Sequence, residues 1–105
     1  MTTVRFYESD NEICGFNIIG HCSQSSFDLN GKLVCAAVSS AAYMAVNTLT
    51  DVIGARVSAK ISEAQMKVLL ISGIEKSQSI LKGFKNHIEQ LSKQYENNLK
   101  IISEV

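Results

Sequence analysis

The sequence contains no proline, only two histidines and three cysteines, and no excess of charge of either sign. Without proline, no turn in this chain can depend on a cis X–Pro bond. Ten basic residues balance ten acidic ones and form no basic stripe, which disfavours binding to nucleic-acid phosphates. The apolar runs are short, so the sequence predicts neither a signal peptide nor a membrane-spanning helix. We therefore expect a cytoplasmic protein with neither nucleic acid nor a membrane as a direct partner.

What is present is enough for one folded domain that spans residues 1–105. Hydrophobic residues make up 46% of the chain, which is sufficient for a core. Three cysteines, Cys14, Cys22 and Cys35, are an odd number for a disulfide-stapled secreted domain, so we expect free thiols. A metal site made from them with His21 is disfavoured, because the chain has no paired C-x-x-C motifs. No metal and no cofactor are expected.

Two hydrophobic periodicities divide the sequence into strands and helices. The predicted elements are strands at 3–8 and 12–20, a polar loop at 22–32, a helix at 33–53 that Gly54 ends, strands at 55–60 and 64–71, a helix that follows Ser72–Glu75, and a short last strand at 98–104. Tight turns at Ser9–Asn11 and near Ser62–Glu63 imply strand pairing within each hairpin. The order ββαββα(β) predicts an α+β, two-layer fold, in which two helices pack on an antiparallel sheet of four to five strands.

The same patterns assign the predicted core. Cys14 is expected to share a buried strand face with Phe16 and Ile18. The spacing Ser72-x-x-Glu75 predicts a capping box at the start of the second helix. Spacings of three and four residues give each helix one buried stripe. These stripes are Val34, Val38, Ala41, Ala45, Leu49 and Val52 in the first helix, and Ile80, Leu81, Phe84, Ile88, Leu91 and Tyr95 in the second.

His21 and Cys35 are the residues that suggest chemistry. The pattern places His21 at the end of a strand and Cys35 in the first turn of a helix. Unpaired N–H groups in that turn favour a thiolate, and a nearby imidazole can take the thiol proton and return it to a leaving amine. The same N–H groups can stabilise an oxyanion. The pattern alone favours a buried cysteine that only packs over a catalytic one.

Other polar residues near this pair are open to two interpretations. Ser39 lies one helical turn after Cys35 and faces the same way, so it either donates a hydrogen bond or allows close packing. Cys22 lies in the loop, where it can oxidise, and nothing assigns it a task. His87 is expected at the surface or boundary of the second helix.

A motif around these residues resembles the ribosomal-processing cysteine protease family called Prp. That family carries Gly-His-Ala, a short loop, and then Asp-Ile-Val-Cys-Ala-Ala-Val-Ser. Gly20-His21 matches the first part, and Val34-Cys35-Ala36-Ala37-Val38-Ser39 matches the second without a break. The likeness extends over nearly the whole chain.

The resemblance implies a function and roles for the two residues. His21 would be the general base and Cys35 the nucleophile of a cysteine endopeptidase. The family removes an N-terminal extension from the precursor of a large-subunit ribosomal protein, the twenty-seventh, by cutting after bulky aromatic residues. An apolar groove near Cys35 is therefore expected. The resemblance also implies a homodimer in a bacterial cytoplasm.

Three departures from the family pattern lie in and beside the loop. Lys32 replaces the family's Asp, and Asp28 is the nearest acidic residue and the candidate to replace it. Lys32 would instead favour a thiolate at Cys35 if its ammonium points inward. The loop is slightly longer, with Gly31 displaced, and Cys22 replaces an Ala. These changes motivate an alternative function, a catalytically impaired family member that binds a peptide or a ribosomal component.

Overall fold

The structure is a computed structural model, which describes residues 1–20 and 29–104. Its strands and helices follow the predicted order, including the last strand. A π-helical turn, Thr48–Ile53, extends the first helix, and a 3₁₀ turn, Glu75–Ser77, precedes the second. The elements are β1 (Thr2–Ser9), β2 (Glu12–Gly20), α1 (Leu29–Asn47), β3 (Val57–Ser62), β4 (Gln65–Leu70), α2 (Gln78–Gln94) and β5 (Leu99–Glu104).

Five strands form one mixed sheet in the order β3-β4-β2-β1-β5. The pairs within β3-β4-β2-β1 are antiparallel, whereas β5 lies parallel to β1. The prediction of a purely antiparallel sheet is therefore wrong at this edge. The strand β5 can lie parallel to β1 because α2 carries the chain from β4 across the sheet to β5. A crossover of that length allows parallel pairing.

The core fills the space between one face of the sheet and the two helices, as predicted for a two-layer α+β fold. Phe84 of α2 lies at its centre, with ring centroids 5.8 Å from Phe6 and 4.8 Å from Phe16. The second helix's predicted stripe is confirmed, with the middle residues fully buried and Ile80, Leu91 and Tyr95 partly buried. The buried core residues are Val4, Phe6, Ile13, Phe16, Ile18, Val34, Val38, Ala42, Ala45, Leu49, Ala55, Met66, Val68, Leu81, Phe84, Ile88 and Leu99.

A β-bulge in the first hairpin changes which residue enters the core. Asp10 and Asn11 both have left-handed backbones, with φ of 52° and 64°, as a two-residue type I′ turn requires. Tyr7 then pairs with Gly15, whereas Glu8 pairs with Ile13, which leaves Cys14 as the extra residue of the bulge. Ile13 is buried and Cys14 is only half-buried. The prediction that Cys14 is a core residue is wrong for this reason.

The first helix begins earlier and ends differently than predicted. It starts at Leu29 rather than at residue 33, and it passes into a π-helical turn before Gly54. That turn changes the period of the stripe, so Val52 is 79% exposed and Ile53 packs against the core instead. Gly54 ends the helix as predicted, with φ of 79° and its N–H donating to the Leu49 carbonyl.

The run Leu29–Ile53 is long and apolar enough to cross a membrane by length and composition, with a mean hydropathy of 1.4. The expectation that no segment approaches this length is therefore wrong. The finding is weak evidence for a span, because the core helix of a soluble domain passes the same test. Here α1 contributes fully buried Val38, Ala42 and Ala45 to the core.

The predicted capping box is not formed. The Ser72 hydroxyl accepts a hydrogen bond from the Arg56 N–H at 3.3 Å, so it joins the chain before β3 to the segment after β4. Gly73 has a left-handed backbone, with φ of 74°, and the chain then enters the 3₁₀ turn, which has no side-chain cap. The Ser72 hydroxyl therefore bonds to a distant segment of the chain instead of capping the helix that follows it.

Candidate active site

Cys35 lies on one face of α1 with Ser39 and Tyr43, at intervals of four residues. All three line a pocket of about 150 Å³ between α1 and the sheet. Cys35 is half-buried there. Ser39 shares the pocket with Cys35, as the helical spacing predicts, while its chemical role stays a prediction.

The position of Cys35 within α1 removes one predicted source of thiolate stabilisation. The helix begins at Leu29, six residues before Cys35. Unpaired N–H groups belong to the first turn of a helix, and their electrostatic effect fades within it. Cys35 therefore lies one turn too deep for the predicted help from the helix N-terminus, both for the thiolate and for an oxyanion. The reason is that residues 29–32, predicted as loop, are helical.

The opposite wall of the pocket is built from the tip of the β3–β4 hairpin. Ile61, Met66 and the residues between them line the pocket, together with Thr2, Ile18 and Gly20. Of the apolar side chains in this wall, Ile61 is 51% exposed, whereas Ile18 and Met66 are buried. The predicted apolar groove near Cys35 therefore exists on the described part of the chain.

Two hydrogen bonds hold this hairpin tip against the end of β2. The Gly20 N–H donates to the Ala64 carbonyl at 3.0 Å. The Gln65 side-chain amide donates to Asn17 Oδ1 at 3.1 Å, and Asn17 is only 5% exposed. A side chain on Gly20 would crowd β1, because a Cβ there would lie 3.0 Å from Thr2 Oγ1 and 3.1 Å from Thr2 Cα. The last residue before His21 in the sequence is thus a fixed part of the pocket wall.

Cys35 is disulfide-bonded in the structure, whereas Cys14 is a free thiol. The expectation of free cysteines is therefore wrong for Cys35. Only a thiolate can act as a sulfur nucleophile, so the reactive form of this site is the reduced one.

Several predicted site residues lie away from the pocket or outside the described residues. Lys32 is exposed on the first turn of α1 and does not line the pocket, so the structure does not bring its ammonium inward. His21, Cys22 and Asp28 lie outside the described residues. His87 is exposed on α2, as predicted.

Within the described ranges 1–20 and 29–104, no three metal-ligating side chains lie together.

Two parts of the site were not predicted from the sequence. Tyr43 follows Cys35 at the helical spacing and could have been found from it. The hairpin tip carries no local signal, because its place beside α1 depends on the strand order.

Comparison with known proteins identifies the family. A family model described as cysteine protease Prp matches residues 1–100. The chain belongs to this family and is a cysteine protease, so the predicted resemblance is confirmed. A search of curated proteins found no significant match.

Solved structures share the fold over the full length. SMU.848 from Streptococcus mutans superposes with a TM-score of 0.82 at 24% identity, covering 99% of this chain and 96% of that one. The ribosomal processing protease Prp from S. aureus in complex with a substrate peptide superposes with a TM-score of 0.86 at 16% identity, covering 99% of this chain and 100% of that one. The same S. aureus protein with a covalently linked product peptide gives 0.85 at 17% identity, with the same coverage. At these identities the likeness shows the fold.

Proposed function

We propose that this chain removes the N-terminal extension of the twenty-seventh large-subunit ribosomal protein during bacterial ribosome assembly. The observation that carries the proposal is Cys35 in an open pocket of a Prp-family chain. The S. aureus relative is described as a ribosomal processing protease and binds a substrate peptide, which supports a ribosomal precursor as substrate. The whole chain, 1–105, acts as the catalytic unit.

In the proposed mechanism Cys35 is the nucleophile and His21 moves the protons. His21 takes the thiol proton, and the thiolate attacks the carbonyl carbon of the scissile peptide bond. The resulting tetrahedral intermediate breaks its C–N bond, and His21 gives the proton to the leaving amine. Water, deprotonated by His21, then hydrolyses the thioester and returns the thiol. Support for His21 comes from the motif and from Gly20, its neighbour in sequence, which lines the pocket.

The pocket supports a preference for an apolar substrate side chain beside the scissile bond. Ile18, Tyr43, Ile61 and Met66 supply apolar lining next to Cys35, and apolar side chains gain free energy when such surfaces are covered. From the resemblance to the family, we propose that the preferred side chain is bulky and aromatic. Ser39 is within the same pocket and is proposed to hydrogen-bond the sulfur or the substrate carbonyl.

The test is cleavage of a peptide that spans the precursor processing site, with a reductant present. The parent chain should cut it, and Cys35→Ala should not cut it at all. His21→Ala should lower kcat/KM by at least about 100-fold, since general base catalysis contributes that much or more. Cys14→Ala is the matched control and should cut normally, because Cys14 lies in the bulge outside the pocket. Undiminished cutting by Cys35→Ala would refute the proposal.

A second candidate function is a catalytically impaired relative that binds a peptide or a ribosomal component. Two observations favour it, the disulfide at Cys35 and the exposed Lys32 in place of the family's acidic residue. Alkylation of the reduced chain by iodoacetamide at about pH 6 separates the two functions. Fast reaction at Cys35 is expected of a protease, whereas a rate equal to that of Cys14 would favour the binding module.

We also propose that the chain acts in the cytoplasm, where ribosomes assemble, and that it forms a homodimer as its family does. An apolar groove between α1 and α2, lined by Met44, Ile80 and Phe84 among others, supports an association surface on this side. Sedimentation of the reduced chain at micromolar concentration tests the dimer. A monomer throughout that range would contradict it.

A further inference from the structure

Glu63 is the one charged side chain among the described residues that line the Cys35 pocket. It lies at the tip of the β3–β4 hairpin, where Glu63 and Ala64 form the turn between Ser62 and Gln65. Its side chain is exposed at the mouth of the pocket. A peptide that lies over Cys35 along this wall must therefore pass a carboxylate.

No side chain of the described chain neutralises this carboxylate. The ion pairs found in residues 1–20 and 29–104 are Arg5 with Glu104 and Lys85 with Glu8, and both lie away from the hairpin tip. Lysines on the hairpin itself point the other way, because strand residues alternate between faces and Lys60 pairs with Lys67 while Ile61 pairs with Met66 on the helix side. The carboxylate is therefore available to a ligand.

The backbone on the C-terminal side of Glu63 is held in place before substrate arrives. The Gly20–Ala64 hydrogen bond joins the turn to β2, and the Gln65–Asn17 bond fixes the residue that follows the turn. A wall that is held in place loses little conformational freedom when a ligand binds, so more of its interaction energy appears as affinity. This separates Glu63 from an ordinary surface carboxylate on a flexible loop.

We propose that Glu63 is a specificity-determining residue that selects substrates with a lysine or arginine close to the scissile bond. The inference rests on the proposed endopeptidase function and adds a charge preference to the apolar one. The formal net charge of the chain is zero, so the preference comes from this local carboxylate rather than from a field around the whole molecule.

The experiment compares peptides that differ at one position. A neutral peptide that the parent chain cuts is varied by placing lysine, norleucine or glutamate, in turn, at each of the positions flanking the scissile bond. At one or more positions, kcat/KM for lysine should exceed that for norleucine by about 1.4- to fivefold, the range that corresponds to exposed ion pairs. The glutamate peptide should be cut more slowly than the norleucine peptide by a similar factor.

Variants of Glu63 test whether this residue causes the preference for lysine. Glu63→Gln should bring the ratio of lysine to norleucine to about one, and Glu63→Lys should invert it. Glu89→Gln and Glu89→Lys are matched controls, because Glu89 is exposed on α2 and outside the pocket. They should keep the parent's ratio. Raising the ionic strength to about 0.5 M should shrink the preference, since salt screens exposed charges.

The outcomes separate this inference from the proposed function. If the parent chain cuts none of these peptides, the endopeptidase function itself fails. If it cuts all three peptides equally, or if the lysine preference survives Glu63→Gln, the role of Glu63 is wrong while the endopeptidase stands. Because every ratio is taken within one variant, a loss of folded protein cancels and does not imitate either result.

Discussion

The hydrogen bond from Gln65 to Asn17 holds the pocket wall, and its removal has a calculable cost. Replacing Gln65 with methionine keeps the length and the apolar stem of the side chain but deletes the donor. Asn17 Oδ1 is then left without this partner in a side chain that is only 5% exposed. An unsatisfied buried polar group costs about 1–3 kcal/mol. At about 2.1 cal/mol/K of unfolding entropy per residue, a chain of 105 residues should lose about 5–14 °C in Tm.

Thermal and urea unfolding of the reduced chain measure this loss. Gln90→Met is the matched control, because Gln90 is exposed on α2, and it should change the free energy of unfolding by less than about 0.5 kcal/mol. Asn17→Leu removes the acceptor instead and completes a double-mutant cycle. In that background Gln65→Met should cost little, since the half-buried Gln65 amide has already lost its partner. The coupling free energy should be about 1–2 kcal/mol.

The same variant links stability to catalysis. Gln65 follows the turn that carries Glu63, and it lines the pocket, so a loosened hairpin tip should raise KM more than it lowers kcat. Unfolding of Gln65→Met at the parent's Tm, or a coupling free energy below about 0.3 kcal/mol from the cycle, would contradict this prediction. Either result would mean that strand pairing alone holds the wall.

Three further predictions concern the core, a helix end and the redox state. Phe84→Ala should lower the free energy of unfolding by about 3–5 kcal/mol in urea, because the ring is buried against two other phenylalanines. Gly54→Ala should cost about 1–2 kcal/mol in the same assay, entirely from its left-handed backbone, since nothing lies within 4 Å of the added Cβ. Peptidase activity should require a reductant because Cys35 is disulfide-bonded, and Cys14→Ala should show the same requirement because Cys14 is free. Cutting at full rate without a reductant would contradict the last of these.

Sequence periodicity predicted the elements well because burial on one face is a local property of a strand or a helix. The stripe of α2 is the clearest case, since Leu81, Phe84 and Ile88 recur at helical spacing and are all buried. The failures occur where the period changes by a single residue. A bulge at Cys14 and a π-helical turn before Gly54 each add one residue to the regular spacing of buried positions. No local sequence pattern predicts either change.

In the active site, too, residues that are close in the sequence could be predicted together, whereas contacts between distant segments could not. Cys35 and Ser39 were predicted together because helical spacing places them on one face. The opposite wall could not be predicted, because it forms only when β4 pairs with β2 and carries residues 61–66 to α1. The direction of β5 was missed for a related reason, since it depends on the path of α2 across the sheet rather than on the residues of the strand.

The true start of α1 changes how a thiolate at Cys35 must be stabilised. A helix N-terminus favours negative charge only within its first turn, and that turn carries Lys32 and no acidic residue. Cys35 lies one turn further in, so neither the backbone N–H groups nor an inward-pointing ammonium supplies the positive charge that sequence reasoning assigned to them. Among the sources of activation that the sequence predicts, the proposed mechanism then depends on the imidazole of His21. That is why His21→Ala is expected to lower kcat/KM by at least about 100-fold.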